Sequence, residues 1–147
     1  MKSTGFTRTL TGKLAVSSYD GSENRIQLFD GRFNTGYVIT AFKIAPANPL
    51  DALAIMGKVS TEPKSTTTEF NWEDNEEVAW ATWNIGSGYD GSFEYSNIRN
   101  DNLIIEDLYI AIGGSSAGEV NYELTLEKYN IDDWNGALAM VRNRSQA

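Results

Sequence analysis

The sequence lacks cysteine and histidine altogether, and it has only three prolines in 147 residues. Without cysteine there are no disulfides, no thiolate nucleophile and no cysteine-based zinc site. Without histidine the commonest general acid–base pairs and serine–histidine arrangements are excluded. No stretch approaches the roughly 18 consecutive apolar residues of a membrane span, so no membrane partner is expected.

Clusters of basic residues are missing as well. Twelve Lys and Arg residues are dispersed against 20 Asp and Glu residues, which gives a net charge of −8. Phosphate backbones are bound by clustered bases, so direct nucleic-acid binding is not expected. No phosphate-binding glycine loop, Walker sequence or dinucleotide fingerprint occurs, and no cofactor is expected.

The chain does have strand-type alternation of apolar and polar residues from near its start to residue 128. Residues 120–127 are the clearest case, because four apolar side chains share one face: Val120, Tyr122, Leu124 and Leu126. The same pattern predicts further strands at 12–16, 25–29, 37–44, 54–60, 77–83 and 103–112. The last of these is long and apolar enough to be central in a sheet, and Glu106 and Asp107 mark a place for a bulge within it.

The segments between these strands indicate how they are connected. Asp-Gly pairs at 20–21, 30–31 and 90–91 and the glycine-rich stretch 113–118 are suited to turns. The proline-containing stretch 45–53 is typical of a connection that crosses between sheets. We therefore expect an all-β protein, an antiparallel β-sandwich of seven to eight strands over residues 1–131 with jelly-roll or Ig-like wiring.

After Tyr129 the periodicity changes. Asp132 or Asp133 can cap a short helix, which Gly136 weakens, so residues 132–147 are expected to be a short helical or extended tail. We expect this tail to dock on a neighbouring subunit. Its predicted contact residues are Trp134, Leu138, Val141, Arg142 and Arg144.

Residues 65–98, the acidic–aromatic segment, carry most of the charge imbalance. Seven acidic and seven aromatic residues occur there without one basic residue, and elsewhere 13 acids nearly balance the 12 bases. The segment therefore predicts a strongly negative surface for a ligand or a partner. The residues proposed for it are Trp72, Glu73, Asp74, Glu76 and Trp83.

Strand parity separates two tryptophans of this segment. Trp80 lies in phase with Val78, whereas Trp83 faces the opposite way. Strict alternation therefore cannot bury both indoles in one core, although a bulge would cancel this argument. We expect Trp80 to be buried, and at least one of the two to lie at a second interface or on the surface.

The acidic–aromatic segment also allows chemistry of other kinds. A glycosidase needs two carboxylates about 5–10 Å apart in a cleft lined with aromatic side chains. The segment offers five carboxylates among Trp72, Trp80 and Trp83, namely Glu73, Asp74, Glu76, Glu77 and Glu94. Calcium takes 6–8 oxygen ligands, and residues 71–77 offer many, but the spacing of an EF-hand loop is absent. A hydrated acidic loop beside buried tryptophans accounts for the same composition without catalysis or metal binding.

In its overall character the chain resembles the small all-β virion structural proteins of bacteriophages. It is short, has no Cys or His, is rich in Thr, Asn, Gly and aromatic residues, and continues after its last strand. The resemblance implies jelly-roll or Ig-like subunits in symmetric copies and no catalysis. It also implies contacts with like subunits or other virion proteins.

This resemblance makes the virion the expected location. The start of the chain has no apolar core of about 7–15 residues of the kind a signal peptide needs. A cytoplasmic location, or secretion without a visible signal peptide, is the alternative. The alternative function is that of a carbohydrate-binding β-sandwich that uses residues 69–95, and a carboxylate-pair glycosidase is a further one.

Overall fold

The computed structural model describes nine stretches of the chain, namely residues 2–16, 21–28, 35–48, 54–63, 69–85, 92–98, 103–104, 107–115 and 117–130. They contain eight strands: β1 (Lys2–Val16), β2 (Gly21–Ile26), β3 (Thr35–Pro46), β4 (Ala54–Ser60), β5 (Glu77–Ile85), β6 (Ser92–Ile98), β7 (Leu108–Gly114) and β8 (Gly118–Asn130). Among the described residues no helix is long and apolar enough to cross a membrane.

The strands form two antiparallel sheets. One has three strands in the order β1-β8-β3, and the other has five in the order β2-β7-β4-β5-β6. The predicted all-β antiparallel sandwich is therefore confirmed. β7 lies between β2 and β4, so the segment predicted to be central does occupy a central position.

Three of the four nested antiparallel pairs of a jelly roll are present, and they wrap around one core. β1 pairs with β8, β2 with β7, and β4 with β5. The fourth pair would join β3 to β6, but β6 forms its ladder with β5 in the five-stranded sheet. It contacts β3 through the Ser96 hydroxyl, which donates to the Phe42 carbonyl at 2.8 Å. One side-chain bond thus links the two sheets at this edge.

The core lies between the two sheets. It includes Phe42 and Leu124 from the three-stranded sheet and Val59, Ile110 and Ile112 from the other, and all five are fully buried. Burial of each such side chain is worth about 1.5–3 kcal/mol. The sheets approach closely at Gly57, where an added Cβ would lie 3.1 Å from Ile44 Cγ2 and 3.2 Å from Phe42 Cζ. A side chain at this position would press on Ile44 and Phe42, which would have to shift by a few tenths of an ångström to admit it.

Four elements differ clearly from the sequence-based predictions. β2 spans Gly21–Ile26, whereas the strand predicted there ran over residues 25–29. β1 begins at Lys2 rather than at residue 12, and β6 was not predicted at all. The strand predicted over 103–112 starts only at Leu108, and Ile104 makes an isolated bridge with Tyr37 instead. Asp107 lies directly before the observed strand, and its carboxylate accepts a hydrogen bond from the Leu28 backbone N–H at 2.9 Å.

Candidate functional site

β5 places its two tryptophans on opposite faces of the five-stranded sheet. On β5, Ala81 pairs with Gly57 of β4, and Gly57 lies against side chains of β3. Trp83 is two residues after Ala81 and therefore shares its face, so Trp83 points toward the three-stranded sheet. Trp80 pairs with Lys58 and lies on the outer face. Trp80 is nevertheless only 1% exposed. The predicted burial of Trp80 is thus observed, but the other sheet is not what covers it.

The cover of Trp80 is provided by residues 69–76, which we call the covering loop. The Trp72 ring meets the Trp80 ring edge to face, with centroids 6.1 Å apart and planes at 65°. Such aromatic pairs add about 0.5–1.5 kcal/mol beyond the area that they bury. Trp72 itself remains 54% exposed, so the contact leaves much of its indole accessible.

Beneath the covering loop lies a fully buried ion pair. Lys58 Nζ donates to Glu77 Oε2 at 3.1 Å and to the Glu69 carbonyl at 2.8 Å, and both charged side chains have no exposed surface. Glu77 also accepts from Asn71 N at 2.9 Å, from Asn71 Nδ2 at 3.1 Å and from Trp80 Nε1 at 3.0 Å. The four acceptor positions of this carboxylate are therefore filled.

A β-bulge brings Glu77 to the same face as Trp80. The β4–β5 register shifts so that Val59 lies opposite Ala79 while Ser60 lies opposite Glu77. The extra residue, Val78, turns toward the core, where it is fully buried. In a regular strand the side chains of residues 77 and 80 would point to opposite faces of the sheet, because they are three positions apart. The bulge places both side chains on the same face.

The environment of Glu77 changes its pKa in two opposing ways. Burial raises the pKa of this carboxyl, because a charge loses its hydration in the interior. The hydrogen bonds from the Asn71 backbone, Trp80, the Asn71 side chain and Lys58 favour the charged form and lower the pKa below its ordinary value. The net direction is downward, so Glu77 stays ionised as a structural acceptor.

The covering loop is itself a folded turn. Asp74 N donates to the Asn71 carbonyl at 3.0 Å, and Glu77 N donates to the Asp74 carbonyl at 3.2 Å. Asp74 Oδ1 also accepts from Glu76 N at 2.9 Å. These bonds fix a turn on which Trp72 and Glu73 are exposed.

The structure divides the residues proposed from the sequence between separate places. Trp72, Glu73, Asp74 and Glu76 all lie in the covering loop, on the outer face of the five-stranded sheet. Trp83 lies on the inner face of that sheet, so the five residues do not form one continuous surface. The predicted docking residues all lie outside the described residues: Trp134, Leu138, Val141, Arg142 and Arg144.

A cavity of about 540 Å³ opens between the sheets beside Trp83. Its walls include Gly12, Ile44, Trp83 and Tyr122. The absence of a side chain at Gly12 leaves room for the ring of Tyr122, because an added Cβ would lie 2.5 Å from the tyrosine hydroxyl oxygen. Lys43, Asn121 and Glu123 also border the cavity, but strand alternation directs their side chains to the other face of the sheet.

β1 contributes a surface that the sequence analysis missed. Residues 4–9 are all exposed, and Phe6 is 62% exposed. The β1–β8 register jumps between Ser3 and Thr7, and Gly5 in this gap has a φ of 71°, which favours glycine. Thr4 Oγ1 holds the irregularity by donating to the Lys128 carbonyl and accepting from Phe6 N, both at 3.1 Å.

Metal ligands are not grouped in the described part of the chain. No three Asp or Glu side chains there could hold one ion. In residues 71–77, the stretch considered for calcium, Glu77 binds Lys58, Asn71 and Trp80, and Asp74 caps its own turn.

Comparisons with known proteins complete the description. No model of a protein family matches the chain, and no curated protein matches it. One solved structure similar to it is VP1 of Trichodysplasia spinulosa-associated polyomavirus in complex with 3′-sialyllactose, with a TM-score of 0.44, 9% identity, and coverage of 87% of this chain and 96% of that chain. Another structure of the same VP1 gives a TM-score of 0.45 at 9% identity, covering 90% and 98%. Neither assigns a ligand or a residue role to this chain.

Proposed function

We propose that the protein is a non-enzymatic structural component of a virion, in a capsid, decoration or minor structural role. Its sandwich body and its terminal segments make the contacts between subunits, and its partners are further copies of itself or other virion proteins. Jelly rolls serve in viral capsids and in lectins alike, so the fold alone does not decide between these functions.

The observation that carries the proposal is the exposed edge of β1. Among the described strands β1 pairs only with β8, and its residues 4–9 are open to solvent, with Phe6 in the middle. A strand at the edge of a sheet can pair with another chain, and residues 4–9 of β1 are exposed for such a contact. An aromatic side chain presented on this edge suits a subunit contact.

The arrangement around Glu77 also supports a structural role. Glu77 is a fully buried carboxylate of the acidic–aromatic segment, and its acceptor positions are filled by Lys58, Asn71 and Trp80. A catalytic acid or base needs access to a substrate proton. This carboxylate instead holds the covering loop on the sheet.

Assembly is tested by size-exclusion chromatography with light scattering over a range of concentrations, together with electron microscopy. We expect oligomers or particles of the full chain. Deletion of residues 132–147 is expected to abolish assembly and to leave the β circular-dichroism signal intact. A full chain that stays monomeric at every concentration and does not bind virion components would contradict the proposal, and loss of the fold on deletion would place the tail in the core.

One observation favours carbohydrate binding as a second candidate. Trp83 lines the cavity between the sheets, and its buried Nε1 has no hydrogen-bond partner among the described residues. An indole that lines such a cavity can stack on a sugar ring, whereas its N–H would become available to a hydroxyl only if the buried nitrogen were uncovered. A glycan array with and without calcium, repeated with Trp83→Phe, tests this function, and an array that stays blank would remove it.

A further inference from the structure

The middle of β1, residues 6–12, carries a row of threonines on one face. Thr7, Thr9 and Thr11 lie at alternate positions, and all three are exposed. Threonine favours extended pairing because it is β-branched, and Thr–Thr pairs across two strands contribute about 0.2–1 kcal/mol each. Among the described strands β1 pairs with β8 alone, so the row lies at the edge of the three-stranded sheet. It is suited to pair with a further strand on that side.

One end of this segment presents an aromatic side chain to solvent. Phe6 directly precedes the threonine row and is 62% exposed. Its position is fixed before any contact, because its backbone N–H donates to Thr4 Oγ1, which itself donates to the Lys128 carbonyl. A preformed apolar surface loses little conformational entropy on binding.

The other end of the segment presents a second aromatic ring. The ring of Tyr122 crosses from β8 over Gly12 of β1, where an added Cβ would lie 2.5 Å from the tyrosine hydroxyl oxygen. Tyr122 is only partly buried. Phe6 and Gly12 are six residues apart, which is about 20 Å along a strand, so the two rings cannot meet within one copy of the chain.

We propose that two copies of the chain pair through β1 in an antiparallel arrangement, with Thr9 on the two-fold axis. Phe6 of each copy then lies opposite Gly12 of the other copy and packs against the Tyr122 ring there. The same aromatic contact is made twice, and each such pair adds about 0.5–1.5 kcal/mol beyond the area that it buries. This inference rests on the proposed function, because it names the partner and one surface of assembly.

The register is supported by the side chains that it brings together. Directly opposite residues of antiparallel strands lie on the same face, so the threonine rows of the two copies meet, with Thr7 opposite Thr11. Arg8 is the charged residue of this segment, and it lies opposite Leu10. A two-fold axis at Arg8 would instead oppose two like charges, which is unfavourable. The contact requires no ion pair.

The contact is isologous, because the same surface is used by both copies, and it therefore closes at a dimer. The two three-stranded sheets become one continuous sheet of six strands. Growth from this dimer to a particle uses other surfaces of the chain. The β1 contact thus defines the building block of the proposed assembly.

Single cysteines in the full chain test the contact, because the natural sequence has none. Thr9→Cys should form a disulfide with its own copy under mild oxidation, since directly opposite Cα atoms lie about 4.5–5.5 Å apart. Thr7→Cys and Thr11→Cys should each give at least about fivefold less covalent dimer, because their own copies lie about 14 Å apart. A mixture of these two variants should form the heterodimer. Nonreducing electrophoresis and mass spectrometry measure the yields.

The aromatic contact is tested in the Thr9→Cys background. Phe6→Ser should lower the yield of covalent dimer at least about fivefold, as for loss of a contact centre. Trp72→Ser removes the other large exposed apolar side chain of the described residues and should leave the yield unchanged. Circular dichroism checks that both variants are folded. An unchanged yield with Phe6→Ser would show that Phe6 does not pack against Tyr122.

The outcomes separate this inference from the proposed function. A highest yield from Thr7→Cys or from Thr11→Cys alone would overturn the register, and equally low yields from all three cysteine variants would overturn the contact. In both cases a wild type that assembles leaves the proposed function standing. If Thr9→Cys crosslinks as expected but the protein forms no larger assembly and binds no virion component, the contact is correct and the proposed function is wrong.

Discussion

At the scale of single residues, the buried pair of Lys58 and Glu77 is the most consequential feature. Burial of two charges costs several kcal/mol per ion, and this cost is offset only when the pair is well placed and fully hydrogen-bonded. Here Lys58 also binds the Glu69 carbonyl, and Glu77 also binds Asn71 and Trp80. The pair therefore couples the sheet to the covering loop.

The first prediction concerns the removal of Lys58. Lys58→Met should lower the free energy of unfolding by about 3–5 kcal/mol, because it leaves the Glu77 carboxylate buried without its countercharge. Urea unfolding at neutral pH measures this loss. Lys43→Met, at an exposed position of β3, should change stability by less than about 0.5 kcal/mol. Equal effects of the two substitutions would show that the Lys58–Glu77 pair contributes little.

The second prediction concerns pH. The pKa of Glu77 is lower in the folded protein than its ordinary value of 4.5, so the unfolded chain takes up the proton first as the pH falls. The stabilisation from Glu77 is thus complete above about pH 4.5 and declines below it, through the folded pKa. The free energy of unfolding should fall more steeply with decreasing pH in the wild type than in Glu77→Gln. Parallel pH profiles would contradict the assignment.

At the scale of elements, local alternation predicted seven of the eight strands but not β6. β4 was predicted with the observed bounds, Ala54–Ser60, because its neighbours in sequence already mark its ends. The sequence of β6, Ser92–Ile98, alternates aromatic and polar residues between a glycine and an arginine. This alternation is short, and its aromatic and acidic residues were interpreted as part of the acidic–aromatic segment rather than as a strand. The β1 residues before Gly12 alternate weakly, because residues 4–9 are exposed on both faces.

The third prediction concerns the link between β6 and β3. Ser96→Ala removes the bond to the Phe42 carbonyl and should cost about 0.5–1.5 kcal/mol. Amide hydrogen exchange should accelerate in β6 more than in β4 or β7, because β6 keeps only β5 as a ladder partner among the described strands. Thr40→Ala, which removes a weaker 3.3 Å bond to the Thr125 carbonyl within one sheet, is the control. Unchanged exchange in β6 would show that the Ser96 bond does not hold the two sheets together at this edge.

At the scale of the whole molecule, the chain is tied together by contacts between distant segments. β1 pairs with β8 along residues 2–16 and 118–130, so the two ends of the described sandwich are neighbours. Proteins dominated by such long-range pairing fold in milliseconds to seconds. Because one core lies between the two sheets, both sheets should also unfold together.

The fourth prediction follows from that shared core. Unfolding in urea should give coincident transitions by circular dichroism, which reports the strands, and by tryptophan fluorescence, which includes Trp72 and Trp80 at the covering loop. Refolding in stopped-flow experiments should take milliseconds to seconds. A fluorescence change that precedes the loss of strands would contradict this, because the covering loop would then open as a separate unit.

The sequence was sufficient to establish the all-β class, most of the strands and the acidic character of residues 65–98. Alternation and turn residues are local properties, so they can be recognised without knowing what packs against them. The sequence did not predict the face of the sheet on which Trp80 lies, because that face depends on the bulge at Val78 and on the loop that covers the sheet. The partners of Lys58 likewise depend on pairing between segments far apart in sequence, and only tertiary structure brings these together.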